Sequence, residues 1–170
     1  AFYQWHFANA YETGENLVVD FVRYPNADTL HSISVTELGG GELVRAQVGL
    51  SKDTFTMNVL EDTDGDFPLV DPRFAGREHG VVFRAVESDT GIGVARTDVR
   101  MGKSDFFFDD ARCHYSEPVF VPKSASAREG EGHLLSLVLD ARTRKSHIAV
   151  LDAEHVSDGP VAKAFFDHAI

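Results

Sequence analysis

An all-β fold is predicted for this 170-residue chain by three features of its sequence. Apolar residues recur with a period of two rather than 3.6, the runs are short, and turn residues interrupt them about every 8–12 positions. This spacing fits a sandwich, a barrel or a propeller, and no strict repeat such as a Trp-Asp blade signature selects among them.

Taken in order, residues 2–11 read as a strand, and Leu17-Val18-Val19-Asp20-Phe21-Val22 returns as a second. Between them lies Thr13-Gly14-Glu15-Asn16, where Gly and Asn accept the positive φ of a tight hairpin. Residues 32–38 and 42–50 are expected to pair around Gly39-Gly40-Gly41. Ser51-Lys52-Asp53 then turns the chain into the strand Phe55–Leu60, and an acidic connection from Glu61 to Gly65 leads to Asp66-Phe67-Pro68-Leu69-Val70-Asp71-Pro72. Strands follow near 79–86, 92–99 and 104–108, with Gly91 and Gly102 in the turns. Glu117-Pro118-Val119-Phe120-Val121-Pro122 is extended, because each Pro restrains the residue before it. Residues 133–140 and 146–152 form a hairpin about Arg142-Thr143-Arg144. A short helical turn is expected at 152–156, and a last strand begins at 161. Lys123 to Gly132, rich in Ser, Ala, Glu and Gly, reads as the most flexible surface loop.

The 43% apolar and 25% charged residues lie close to the globular average, so a wholly disordered chain is excluded. No apolar run approaches the roughly 20 residues of a membrane-spanning helix, and no signal peptide is visible. The formal net charge of −11 argues against nucleic acid, which is bound through Lys and Arg, and against electrostatic docking on anionic lipid. Apolar insertion at a membrane surface stays compatible with it. Cys113 has no second cysteine to pair with, which fits a reducing, cytoplasmic compartment with at most peripheral membrane contact. The chain opens in an aromatic run without Met and closes on apolar residues, whereas natural termini are usually polar and frayed. The expectation is a single partial domain over 1–170, cut from something longer.

Eight histidines are present (6, 31, 79, 114, 133, 147, 155 and 168), none at the spacing of a helical two-His metal motif and none in a Cys/His cluster. A histidine at such a position is ordinarily a surface or hydrogen-bonded residue. Gly39-Gly40-Gly41 lacks the helix and Lys of a phosphate loop, and nothing marks Cys113 as a nucleophile. Spacing alone discloses no enzyme.

Three ordered segments add to this. Trp5-His6-Phe7-Ala8-Asn9-Ala10-Tyr11-Glu12 resembles the aromatic-His-x-x-Asn-Ala-Tyr/Trp-Glu segment of the carotenoid cleavage oxygenases, a family that includes stilbene-cleaving enzymes and the retinal pigment epithelium isomerase. Asp66 to Arg77 resembles that family's Glu-Phe-Pro-Arg-(Ile/Val)-Asp stretch. Ser116 to Pro122, followed by Gly132 to Val138, resembles its Glu-Pro-(Ile/Val)-Phe-Val segment and the strand beyond. The likeness runs nearly end to end and covers about the last third of a family member.

The resemblance implies the C-terminal blades of a seven-bladed β-propeller, with Fe(II) on the axis held by four His and by carboxylates behind some of them. His6 matches the third ligand, and Glu117 matches a carboxylate behind a ligand. Asp66 matches another, where the family usually has Glu. The first two His ligands are expected before Ala1 and the fourth in a Phe-His-Gly segment beyond Ile170; His168 lacks that context. Neutral imidazoles suit Fe(II) and leave positions for dioxygen, and a carboxylate on the other ring nitrogen fixes the tautomer. Asp66 is one methylene shorter than Glu, so the strand compensates, a water bridges, or the contact is weaker. A plain solvated role for Asp66 in its acidic neighbourhood stays open, as does a surface role for Glu117. Phe106-Phe107-Phe108 reads as tunnel lining, strand core or a membrane-facing patch.

The activity implied is oxidative cleavage, with dioxygen, of a C=C bond in a conjugated apolar substrate (carotenoid, apocarotenoid or stilbene) to two carbonyl products. The piece by itself is expected to be inactive. The competing expectation is a metal-free β-rich binding or structural module. Its exposed strand edges would favour self-association.

Overall fold

The computed structural model describes residues 2–28 and 40–170. Thirteen strands are present among them: β1 (Tyr3–Thr13), β2 (Asn16–Tyr24), β3 (Glu42–Gly49), β4 (Phe55–Glu61), β5 (Gly65–Leu69), β6 (Val81–Ser88), β7 (Gly91–Asp98), β8 (Lys103–Phe108), β9 (Cys113–Tyr115), β10 (Val119–Pro122), β11 (Gly132–Asp140), β12 (Lys145–Asp152) and β13 (Pro160–Phe165). Pro72–Phe74 and Val156–Asp158 form 3-10 turns. No helix of the described residues is long and apolar enough to cross a membrane.

The strands form three antiparallel sheets, each a meander in chain order: β1-β2-β3-β4, β5-β6-β7-β8, and β10-β11-β12-β13 with β9 also pairing β11. These are propeller blades. Asn9↔Asp20 and Asn16↔Gly49 set the register of the first blade, Phe83↔Arg96 that of the second, and Leu135↔Val150 that of the third. The expected strand 32–38 lies outside the described residues, and residues 42–49 pair instead with β2 and β4. β9 was not legible in the sequence; three residues are too few to show a period.

The second blade is sandwiched. Leu43 from the first blade packs on Val70, Val82 and Val99. On its other side Val81, Phe83, Ile92 and Val94 meet Tyr115, Phe120, Leu134, Val138 and Leu151 of the third blade. This explains why Val81-Val82-Phe83 and Ile92-Gly93-Val94-Ala95 read as near-continuous apolar runs: strands covered on both faces lose the in/out alternation. β4, the end strand of the first blade, leaves Phe55 and Val59 exposed. Phe107 packs into the core between blades while Phe106 and Phe108 stack on the other face, so this triplet is partly core.

Polar ties cross between blades. Arg84, fully buried on β6, donates to the carbonyls of Gly41 and Thr63 at 3.2 and 2.9 Å and pairs with Glu61. Burial lowers its pKa to about 10. Lys123 to Gly132 is pinned rather than loose. Arg73, held by Asp71, donates to the carbonyls of Ser124, Ala125, Ala127 and Arg128, and Glu129 accepts from the Gly80 and Val81 amides. Composition marked this stretch as flexible because the anchors lie some 50 residues away in sequence.

Candidate functional site

His6 lies on β1, the first strand of its blade, where the pairing with β2 slips between Gln4 and Phe7 and again between Phe7 and Asn9. Asp66 lies on β5, the first strand of the next blade, and the β5–β6 pairing slips between Asp66 and Leu69. Each slip is a bulge that bends the strand and re-aims its side chains. The two strands pack together at this point, and the His6 Nδ1 stands 3.0 Å from the Asp66 Oδ2.

An ionised carboxylate only accepts hydrogen bonds, so Nδ1 is the donor to it, and in the neutral tautomer that this fixes Nε2 carries the lone pair. The His6 side chain is 44% exposed while that of Asp66 is 8% exposed, so the carboxylate is shielded from solvent and the imidazole is partly open. The short Asp side chain thus reaches the imidazole directly. Tyr24, buried on β2, stands beside Asp66. Burial, and then the negative charge of Asp66, push its phenol up, so it stays a protonated donor at neutral pH.

Phe67 was not singled out by the sequence. Its backbone has φ of +53°, a region that costs a non-glycine residue about 1–3 kcal/mol. Its ring lies against the His6 imidazole, with centroids 4.9 Å apart and planes at 37°. No residue pattern announces a positive φ at a Phe, so only the folded backbone exposes it.

Glu117 lies between β9 and β10 on the first-strand side of the third blade. It is exposed, and among the described residues its carboxylate makes no hydrogen bond or ion pair with His6 or any other side chain. The fold thus brings His6 and Asp66 together and leaves Glu117 apart from them. Nor do the described residues hold a group of three or more His, Cys, Asp or Glu side chains arranged for a metal ion.

Asn9, three residues after His6, does different work. Its Oδ1 accepts from the Gly76 amide at 2.9 Å, and its Nδ2 faces the carbonyls of Phe74 and Arg77 and the Nδ1 of His79, at 3.0–3.1 Å. Gly76, at φ +73°, makes the turn this requires. The Nε2 of His79 donates to the Asp20 Oδ2 at 2.8 Å, and Arg45 clamps the same carboxylate through two contacts of 2.8 and 2.7 Å. Burial opposes ionisation of Asp20, but the hydrogen bonds from Arg45 and His79 outweigh it and hold its pKa below the usual carboxylate range. His79, for which the sequence supports no role, is thus a sealed structural link between the first blade and the loop after the Pro72–Phe74 turn.

A cavity of about 490 Å³ opens elsewhere, lined by Asp109, Cys113, Asp140, His147 and Lys163 among others, and contains none of the His6 group. Burial pushes the Cys113 thiol up, so it stays protonated and is a poor nucleophile.

The family described as RPE65, retinal pigment epithelial membrane protein, matches residues 1–170. The chain belongs to that family. Within this family of carotenoid cleavage oxygenases, it is 26% identical over 98% of its length to the apocarotenoid-15,15'-oxygenase of Synechocystis. It is 28% identical over 94% of its length to lignostilbene-alpha,beta-dioxygenase isozyme III of Sphingomonas paucimobilis. The crystal structure of cobalt-substituted Synechocystis ACO superposes with a TM-score of 0.85 at 25% identity, covering 99% of this chain and 37% of that one. The chain spans 36% and 37% of the lengths of the two oxygenases named. Among the described residues, the His6 imidazole, hydrogen-bonded through Nδ1 to Asp66, has the chemistry to hold a metal through its other nitrogen.

Proposed function

We propose that the intact protein cleaves a C=C bond of a conjugated apolar substrate, a carotenoid, apocarotenoid or stilbene, with dioxygen to give two carbonyl products at an Fe(II) centre. The observation that carries this reading is the Asp66 carboxylate on the Nδ1 of His6, which leaves Nε2 as a free donor. Bound iron would supply the dioxygen chemistry.

His6 would hold the metal through Nε2. Asp66 keeps the proton on Nδ1 and makes the ring a better donor, and Tyr24 beside it lends a neutral phenol to the same carboxylate's surroundings. Glu117 is assigned to a ligating His outside the described residues. The remaining His ligands in this proposal also come from outside this stretch. A cytoplasmic location, at most peripheral to a membrane, belongs to the same proposal.

The test is an anaerobic Fe(II) titration of the intact protein and its His6→Ala variant, with metal content and cleavage products measured for both. Stoichiometric iron and two carbonyl products from the parent, with both lost in the variant, are the expected result. Tight iron binding and full turnover by His6→Ala would remove His6 from the site.

A further inference from the structure

We propose that Phe67 is a positioning residue for His6, held in a left-handed backbone conformation so that its ring braces the imidazole; the inference rests on the reading of His6 as a ligand. The imidazole is anchored at Cγ by its own side chain and at Nδ1 by the hydrogen bond to Asp66, which leaves it free to tilt about that edge. Such a tilt moves Nε2, and metal–ligand distances tolerate only about 0.2 Å. A second contact on the ring face removes that freedom, and Phe67 supplies it at 4.9 Å between centroids.

The backbone explains why this contact is built and not incidental. Phe67 sits inside the β5 bulge, after Asp66 and before Pro68. Its Cβ disfavours φ of +53°, and the following proline disfavours helical backbone at the preceding residue and pushes it towards extended conformations. An ordinary extended strand alternates its side chains, so consecutive residues point to opposite faces. Here Asp66 and Phe67 are consecutive, yet both touch His6. The bulge and the positive φ are what let two neighbours converge on one imidazole. Among the described residues only Arg144, in the turn between β11 and β12, is another non-glycine with positive φ, and turns commonly accept it. Strain kept in a strand beside a candidate ligand has the character of strain at a working site.

The experiment compares Phe67→Gly, Phe67→Ala and Phe67→Tyr with the parent and with His6→Ala, all as intact protein. Two readouts are taken: Co(II) binding followed by its visible absorption, and the thermal midpoint of the metal-free protein. Both Phe67→Gly and Phe67→Ala are expected to bind Co(II) about tenfold more weakly and with an altered spectrum, as for loss of a group that orients a ligand. Phe67→Tyr, which keeps the ring, is expected to restore both. Phe67→Gly should also unfold at a higher temperature than Phe67→Ala, because only glycine relaxes the positive φ.

Weaker metal binding in a variant that is the more stable of the two separates positioning from simple loss of structure. Co(II) affinity and spectrum unchanged in Phe67→Gly would overturn the inference while the loss of metal in His6→Ala leaves the ligand reading standing. Metal binding undiminished in His6→Ala would overturn both.

Discussion

Two histidines in this chain are held by aspartates at almost the same distance, and they are opposites. His6 gives its Nδ1 proton to Asp66 at 3.0 Å, and His79 gives its Nε2 proton to Asp20 at 2.8 Å. The difference is at the other nitrogen. That of His79 is capped by the Asn9 amide, and the ring is buried beneath Tyr11. That of His6 meets no such cap among the described residues, and its side chain is nearly half exposed. An imidazole with both nitrogens satisfied is cement, while one with a carboxylate on one nitrogen and no partner for the other among the described residues is available as a ligand. The carboxylate alone does not distinguish them.

The sharpest way to break the comparison is to exchange what each pair is asked to supply. Asp20→Ala leaves Arg45 and His79 without their buried partner and is expected to destabilise by about 3–5 kcal/mol in denaturant unfolding. His6→Ala removes a partly exposed ring and is expected to shift stability by only about 0.5 kcal/mol, while metal binding disappears. Equal stability losses in the two variants would erase the distinction.

A smaller effect is expected at the carboxylate behind His6. Asp66→Ala should weaken Fe(II) binding about 10–100-fold in anaerobic titration. Asp66→Glu lengthens a side chain that already reaches His6, so it should push the imidazole forward and weaken binding by less than tenfold. A gain in affinity with Glu would mean that the bulged strands had not fully compensated for the shorter residue.

The smallest effect is in acid. The folded-state pKa of Asp20 lies below its unfolded value of about 3.9. Its contribution to stability is therefore full above that value and is lost as pH falls through the folded pKa. Unfolding free energy measured from pH 5 downward should decline less steeply in Asp20→Asn than in the parent.

Much of this was legible in the sequence, for local reasons. Strand, turn and register follow from residues two apart and from Gly or Asn at hairpin tips, so β1, β2, β4, β8, β11 and β12 fall close to where the period places them. The family resemblance implied that the segments around His6 and Asp66 share a site, with a solvated role for Asp66 left open, and Phe106-Phe107-Phe108 was open between readings that the fold then divided. β9 and the anchoring of the 123–132 loop were hidden because their determinants are a three-residue pairing and a guanidinium far along the chain.

By itself the sequence determined the all-β fold class, the apolar faces that make blades stack, and the identity of the imidazole and carboxylates on offer. Only the tertiary structure decided that Asp66 reaches His6 across 60 positions, that Glu117 does not join them, and that Phe67 adopts φ +53° to touch the same ring. The physical reason is one of range. A strand's period is written in neighbouring residues, whereas a 3.0 Å contact between two strands depends on how two blades pack and where each strand bulges.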